Sequence, residues 1–270
     1  MLTIKLPNRN LTVAYEDCGR GPVVVLLHAF PMCRDMWRPQ LDALADAYRI
    51  LAPDLPGFGG TPPVAGISID QMADVVGDFL DAAGIVEPVV LGGLSMGGYV
   101  ALAFARRHPQ RLRGLILADT KPEPDDDTAK ANRNAQLSAL GDGRLTPAKL
   151  VEQMLPKVLG DDTRTSRPDV VAEVQRIAAA QSRDGIAAAV AALRDRPDAV
   201  PHLGTIPVPT LIIVGEQDTL TPPDGAKRTA DRIPGSCLVV IPKAGHLSNL
   251  EDPAAFTAAV RDFLSGLAKA

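Results

Sequence analysis

Cysteine is scarce in this 270-residue sequence, with only Cys18, Cys33 and Cys237, an odd number showing no CxxC spacing. That pattern excludes a disulfide framework and a cysteine-based zinc site, and predicts free thiols in a reducing, cytoplasmic setting. Histidine is also rare, at four residues, with no cluster of His, Cys and carboxylates, so neither a metal nor a cofactor is expected. Charge of one sign is missing: 28 Lys and Arg against 32 Asp and Glu leave a net charge of −4. No basic field exists to hold nucleic acid or an anionic membrane. The opening MLTIKLPNRN lacks a charged start followed by an apolar run, so no secretory signal is read there. Residues 88 to 105 carry no formal charge and reach membrane-span length, but four glycines around a serine make them a poor span. Aromatic residues make up 4%, too few to suggest an extended trough for lipid chains.

What the sequence does have is a large apolar fraction. At 46% hydrophobic and 22% charged it can bury a sizeable core, and its length suits one α/β domain with an insertion. Short apolar runs alternate with segments of helical period, the pattern of a mostly parallel sheet flanked by helices. TIKLP and LTVAYED, separated by Asn8-Arg9-Asn10, predict an N-terminal antiparallel hairpin. Runs at 23–30, 48–55, 88–95, 112–120, 209–218 and 236–242 follow; being apolar on both faces, they read as buried strands. Ser68 to Gln71 fits a capping box before Met72, Val75, Val76, Phe79, Leu80 and Ala83, a helical stripe. Thr221-Pro222 and Asp252-Pro253 each place a candidate cap before a proline, and Phe256, Val260, Phe263, Leu264 and Leu267 stripe the last helix.

The strand signal vanishes between Thr120 and about Pro207. The expected organisation is a core of 1–120 and 208–270 interrupted by a helical cap, 121–207. Within the cap, Leu150, Met154, Leu155, Val158 and Leu159 form one stripe and Val170, Val171, Val174 and Ile177 another. Such stripes serve core packing, and a helical segment over a sheet's carboxyl edge can also roof a pocket.

The chemistry centres on GLSMG, Gly93 to Gly97, a GxSxG pentapeptide lying where a buried strand meets a helix without a spacer. So tight a turn forces Ser95 into a strained backbone conformation, presents its hydroxyl above the sheet edge, and requires small neighbours. A serine hydroxyl needs a base. Of the four histidines, His108 ends the following helix, His202 lies in a surface loop and His28 closes the first central strand in a structural position. By elimination the base is His246, on the loop after the last strand. An imidazole needs an orienting carboxylate, and Asp218 ends the preceding strand, although a turn role before TPPD would also explain it; Asp119, at the end of the 112–120 run, is a rival. Asp54 reads as a loop residue bonding backbone amides. Oxyanion donors are expected from the N–H groups of Met96, in the turn, and Phe30, in the loop His28 to Pro31, where Pro31 has none to give.

HAFP at 28–31, DLPGFGG at 54–60, GLSMGG at 93–98, GEQD at 215–218 and AGH at 244–246 together resemble the α/β-hydrolase family, in its order and over nearly the whole chain. Small carboxylesterases and 3-oxoadipate enol-lactonase-like enzymes look most similar. The resemblance implies an eight-stranded sheet with a helical cap, and Ser95, Asp218 and His246 as nucleophile, acid and base. Ala29 departs from the glycine many relatives carry, and its methyl would shift the oxyanion amide slightly. Serine in the elbow argues against the haloalkane dehalogenases, which use aspartate, and the elbow is not the GGSWGG-like one of proline iminopeptidases. The expected function is hydrolysis of a small or medium ester or lactone, neutral or mildly anionic, through an acyl-enzyme. Pocket walls are expected from Phe30, Met96 and Leu247, with Met154 from the cap. Perhydrolase or cofactor-free haloperoxidase-like chemistry, to which Pro31 also points by resemblance, and a non-catalytic receptor on the same fold are the alternatives. The expected partner is the small-molecule substrate, with no nucleic acid or membrane.

Overall fold

A computed structural model describes residues 1–268. The N-terminal hairpin forms as expected: β1 (Leu2–Leu6) pairs antiparallel with β2 (Leu11–Cys18), and β2 in turn lies antiparallel to β4 (Arg49–Pro53). β3 (Val23–Leu27), β5 (Val89–Leu94), β6 (Leu112–Ala118), β7 (Thr210–Gly215) and β8 (Ser236–Ile241) complete an eight-stranded sheet. Its order is β1-β2-β4-β3-β5-β6-β7-β8, parallel from β4 to β8. After β3 the chain moves outward to β4 and then returns to β5 on the other side of β3. The loops leaving β3 and β5 therefore diverge, opening the crevice in which parallel sheets bind ligands.

β5 and β7 are buried along their whole length, as unbroken apolar runs require. β8 departs from that expectation. It is one of the sheet's two edges, with Val240 41% exposed, because a strand with a single neighbour has only part of its surface covered despite an apolar sequence.

Most helices follow their sequence signals, the one at Pro223–Ala230 excepted. After α1 (Arg38–Leu44), α2 (Ile69–Ala82) starts at Ser68, whose side chain accepts from the Gln71 amide while Gln71 returns the bond. Met72, Val75, Val76, Phe79 and Leu80 are buried on one face, each contributing about 1.5–3 kcal/mol. α3 (Met96–Arg107) packs beside α2 and springs directly from β5. Between β6 and β7 come five helices and no strand: α4 (Asp127–Gly141), α5 (Pro147–Val158), α6 (Asp161–Ser166), α7 (Pro168–Ala179) and α8 (Arg183–Arg194). α9 (Pro223–Ala230) separates β7 from β8, and short α10 (Ser248–Glu251) precedes α11 (Pro253–Leu267). The Asp252 side chain caps α11 by accepting from the Ala255 amide, and Phe256 packs 5.9 Å from Trp37 beside α1. Among the described residues no helix is long and apolar enough to cross a membrane.

Candidate active site

Ser95 occupies the sharp turn between β5 and α3 with φ 53° and ψ −111°, the strained conformation anticipated from GLSMG. Its neighbours have no room for side chains. A Cβ on Gly93 would lie 2.1 Å from the Gly97 carbonyl oxygen, and one on Gly97 would lie 2.2 Å from that of Leu27. The turn is fastened by the Ser95 amide donating to the Ala118 carbonyl and by the Thr120 hydroxyl donating to the Ser95 carbonyl, each at 2.9 Å.

His246 lies on the loop between β8 and α10, its Nε2 2.8 Å from Ser95 Oγ and its Nδ1 2.7 Å from Asp218 Oδ2. Asp218, just beyond β7, accepts the Leu220 and Thr221 amides on Oδ1 and the Thr221 hydroxyl on Oδ2. Four donors hold one carboxylate. Burial alone would raise the Asp218 pKa, but the His246 charge and the bonds from His246 and Thr221 bring it below the ordinary carboxylate value. The same pair acts on the imidazole in reverse: burial disfavours its cation, and the Asp218 carboxylate outweighs this to raise the His246 pKa. With Asp218 ionised, Nδ1 carries the proton that points at it, and Nε2 is free to accept from Ser95.

The His246 loop is pinned to the helices above. Its own amide donates to the Val158 carbonyl at the end of α5, and Glu251 accepts the Gly245 and Leu247 amides on Oε1 and that of Gly160 on Oε2. The Phe30 amide, after β3, and the Met96 amide, in the first turn of α3, have no acceptor among the described residues.

These groups open into a cleft of about 350 Å³ lined by Phe30, Met96, Leu150, Met154 and Val158 beside Ser95 and His246. Next to it lies a small apolar niche of about 10 Å³, room for one water, that shares Phe30, Met154 and Val158 and adds Leu247. Among the described residues no group of three His, Cys, Asp or Glu side chains is gathered as a metal site.

A sequence profile of the α/β hydrolase fold matches residues 22–253. The chain belongs to that family. A pimeloyl-[acyl-carrier protein] methyl ester esterase of Neisseria meningitidis serogroup B is 33% identical over 249 residues, covering 90% of this chain and 93% of the relative. The 3-oxoadipate enol-lactonase 2 of Acinetobacter baylyi is 28% identical, covering 94% of each chain. A thermophilic esterase from Thermogutta terrifontis, solved with malate bound, superimposes with a TM-score of 0.93 at 37% identity over 98% of both chains.

Against this α/β-hydrolase frame the other sequence candidates separate cleanly. His28 is buried, with Nε2 accepting the Leu55 amide and Nδ1 bonded to the Ala29 carbonyl. His108 meets Asp74 at 2.9 Å, and His202 is exposed in a helical turn at Val200–Thr205. Asp54 accepts the Arg34 and Gly60 amides as expected, and pairs with the Arg34 guanidinium as well. Asp119 is buried and turned inward, accepting the Gly215 amide on Oδ1 and the Ser248 amide and hydroxyl on Oδ2.

Thr221 was misassigned by sequence reasoning. It does not cap α9, whose first turn has no side-chain cap; its hydroxyl is spent on Asp218, 3.3 Å from His246 Nδ1. Glu251 was missed altogether, since a lone acid six residues beyond AG offers no spacing signal.

Proposed function

We propose that the protein is a carboxylic ester hydrolase that opens small or medium esters or lactones through an acyl-enzyme, with residues 121–207 forming a cap over the core of 1–120 and 208–270. The observation that carries this reading is the continuous line of hydrogen bonds Ser95–His246–Asp218 at the floor of a cleft. The Ser95 oxygen attacks the ester carbonyl as its proton passes to His246 Nε2. Asp218 stabilises the resulting imidazolium through Nδ1–H, and the Phe30 and Met96 amides receive the negative carbonyl oxygen. His246 then gives its proton to the departing alcohol, leaving the acyl group on Ser95. Water reverses the sequence: it loses a proton to His246 as it attacks, and the acid departs as Ser95 regains its hydrogen. Every group needed is supplied by the protein.

The relatives' printed activities, on a methyl ester and an enol-lactone, fit this reading. So does the apolar wall that Phe30, Met96, Leu150 and Met154 form beside Ser95, which suits a short or medium acyl group. On p-nitrophenyl esters from acetate to palmitate, kcat/KM is expected to peak among the short and medium acyl groups. A peak at palmitate, or activation at an oil interface, would overturn the small-substrate reading; turnover of no ester or lactone would overturn the enzyme reading.

The pH profile follows from the charge balance. Only neutral His246 accepts the serine proton, so kcat/KM rises with pH as the imidazolium titrates. Sequence alone places that limb at about 6 to 7. Because Asp218 raises the His246 pKa above its ordinary 6.5, the midpoint is expected on the alkaline side of that value. A midpoint well below it in the wild type would contradict an ionised Asp218 beside the ring.

A further inference from the structure

The net charge of the protein is −4, yet its cleft is lined by Lys121, Arg133 and Lys157 against a single carboxylate, Asp125. That carboxylate is already matched. Asp125 is 2.6 Å from the guanidinium of Arg196, both side chains being almost wholly buried, and Arg196 is held by the Leu193 and Glu123 carbonyls and lies 4.4 Å over the Tyr99 ring. Arg196 therefore neutralises Asp125 from behind, and the positive charge of Arg133 is left over. Arg133 reaches Asp125 through Nε alone, at 3.1 Å, and its two terminal nitrogens have no acceptor among the described residues. The Lys121 and Lys157 ammonium groups have no carboxylate partner there either. Gln136, three residues along α4 from Arg133, lines the same cleft, and its side-chain NH₂ is a further donor that an anion there can use.

We propose that Arg133, flanked by Lys121, Lys157 and Gln136, forms an anion subsite, so that the preferred substrate is an ester or lactone bearing a carboxylate or phosphate away from the scissile bond. This rests on the hydrolase reading of the same cleft. The geometry gives the substrate two ends. Phe30, Met96 and Met154 offer apolar surface near Ser95, while the α4 side presents a guanidinium whose free terminal nitrogens match the two oxygens of a carboxylate or phosphate. Asp125, anchored to Arg196, fixes the Nε side of Arg133 and so limits the rotamer freedom lost when the anion binds.

The test compares the p-nitrophenyl monoester of glutaric acid with p-nitrophenyl pentanoate, an uncharged ester of the same acyl length. The charged ester is expected to have the higher kcat/KM, by roughly tenfold, through KM more than kcat, with the advantage shrinking as salt is added. Arg133→Met should collapse the ratio between the two esters, and Arg133→Lys should restore part of it. Competitive inhibition by glutarate against inhibition by glycerol phosphate tells which anion fits. Equal kcat/KM for the two esters, or a loss in Arg133→Met that is the same for both, overturns the subsite while leaving the hydrolase intact. If wild type turns over neither ester, the hydrolase reading fails and calorimetric binding of glutarate or glycerol phosphate to Ser95→Ala decides the subsite: binding weakened by adding Arg133→Met supports it, and no binding of either anion rejects it.

Discussion

Ser95→Ala is expected to reduce ester hydrolysis by roughly 10⁴-fold or more and to abolish labelling by a fluorophosphonate, while the urea midpoint of unfolding stays close to wild type. The two halves of this result have separate causes. Activity is lost because no other oxygen sits 2.8 Å from His246 Nε2, and a water left in the cleft lacks the attachment that makes attack intramolecular. The fold survives because the turn is not held by the hydroxyl. The Ser95 amide bonds to Ala118, its carbonyl accepts from Thr120 and from the Tyr99 amide, and all three bonds use backbone atoms that alanine keeps. Alanine also needs no more space than serine between Gly93 and Gly97. Ser248 makes a useful internal comparison, since it lies two residues from His246 but is fully buried with its hydroxyl donated to Asp119. Continued labelling of Ser95→Ala at Ser248 or elsewhere would overturn the nucleophile assignment.

The sheet was legible because a strand buried on both faces has to be apolar throughout, and that signal does not depend on neighbours. β5 and β7 read correctly for this reason, and β8 read as buried for the same reason although it is an edge. Which strands have one neighbour and which have two is a property of the winding, and a local run carries no trace of it. The Ser95 turn was legible because part of its sterics acts within five residues, a side chain at 93 meeting the Gly97 carbonyl, while the demand at 97 comes from Leu27 on β3. His246 could be reached by elimination, four histidines being few enough to place one at a time.

The parts that escaped are contacts between distant segments. The Thr221 hydroxyl looks like a helix cap from TPPD, and only the approach of Asp218 and His246 in space gives it another use. Glu251 ties Gly160 between α5 and α6 to Gly245 and Leu247 beside the imidazole, a link across 91 residues in one direction and six or fewer in the other. The cation surplus of the cleft is of the same kind. Lys121, Arg133 and Lys157 are unremarkable in a chain with as many as 28 basic residues, and become informative only when Asp125 is seen to be matched by Arg196.

Asp218→Asn is expected to lower kcat/KM at neutral pH by roughly 10⁴-fold, and Asp119→Asn by far less. The difference comes from where each carboxylate points. Asp218 Oδ1 receives the amides of Leu220 and Thr221, so an asparagine there must turn its oxygen toward them and present its NH₂ to His246 Nδ1. Nδ1 can answer only as an acceptor. The ring proton then moves to Nε2, where it faces Ser95 and bars the nitrogen from taking the serine proton. The substitution also removes the charge that stabilises the imidazolium, so the remaining activity should titrate at lower pH than wild type. Asp119 has no such hold on the ring. Burial, and after it the charge of Asp218, pushes its pKa up to about 8, whereas that of Asp218 is held down, so asparagine removes a less strongly stabilised charge at Asp119 than at Asp218. The asparagine oxygen can still accept the Gly215 amide, and the cost falls on the bonds to Ser248, about 1–3 kcal/mol of stability, more than on turnover. Steady-state kinetics on one soluble ester, with urea unfolding of each variant, separates the two effects. If Asp119→Asn proved the more damaging to kcat, the orienting carboxylate would belong to β6, and the line from Ser95 through His246 to Asp218 would be a structural contact.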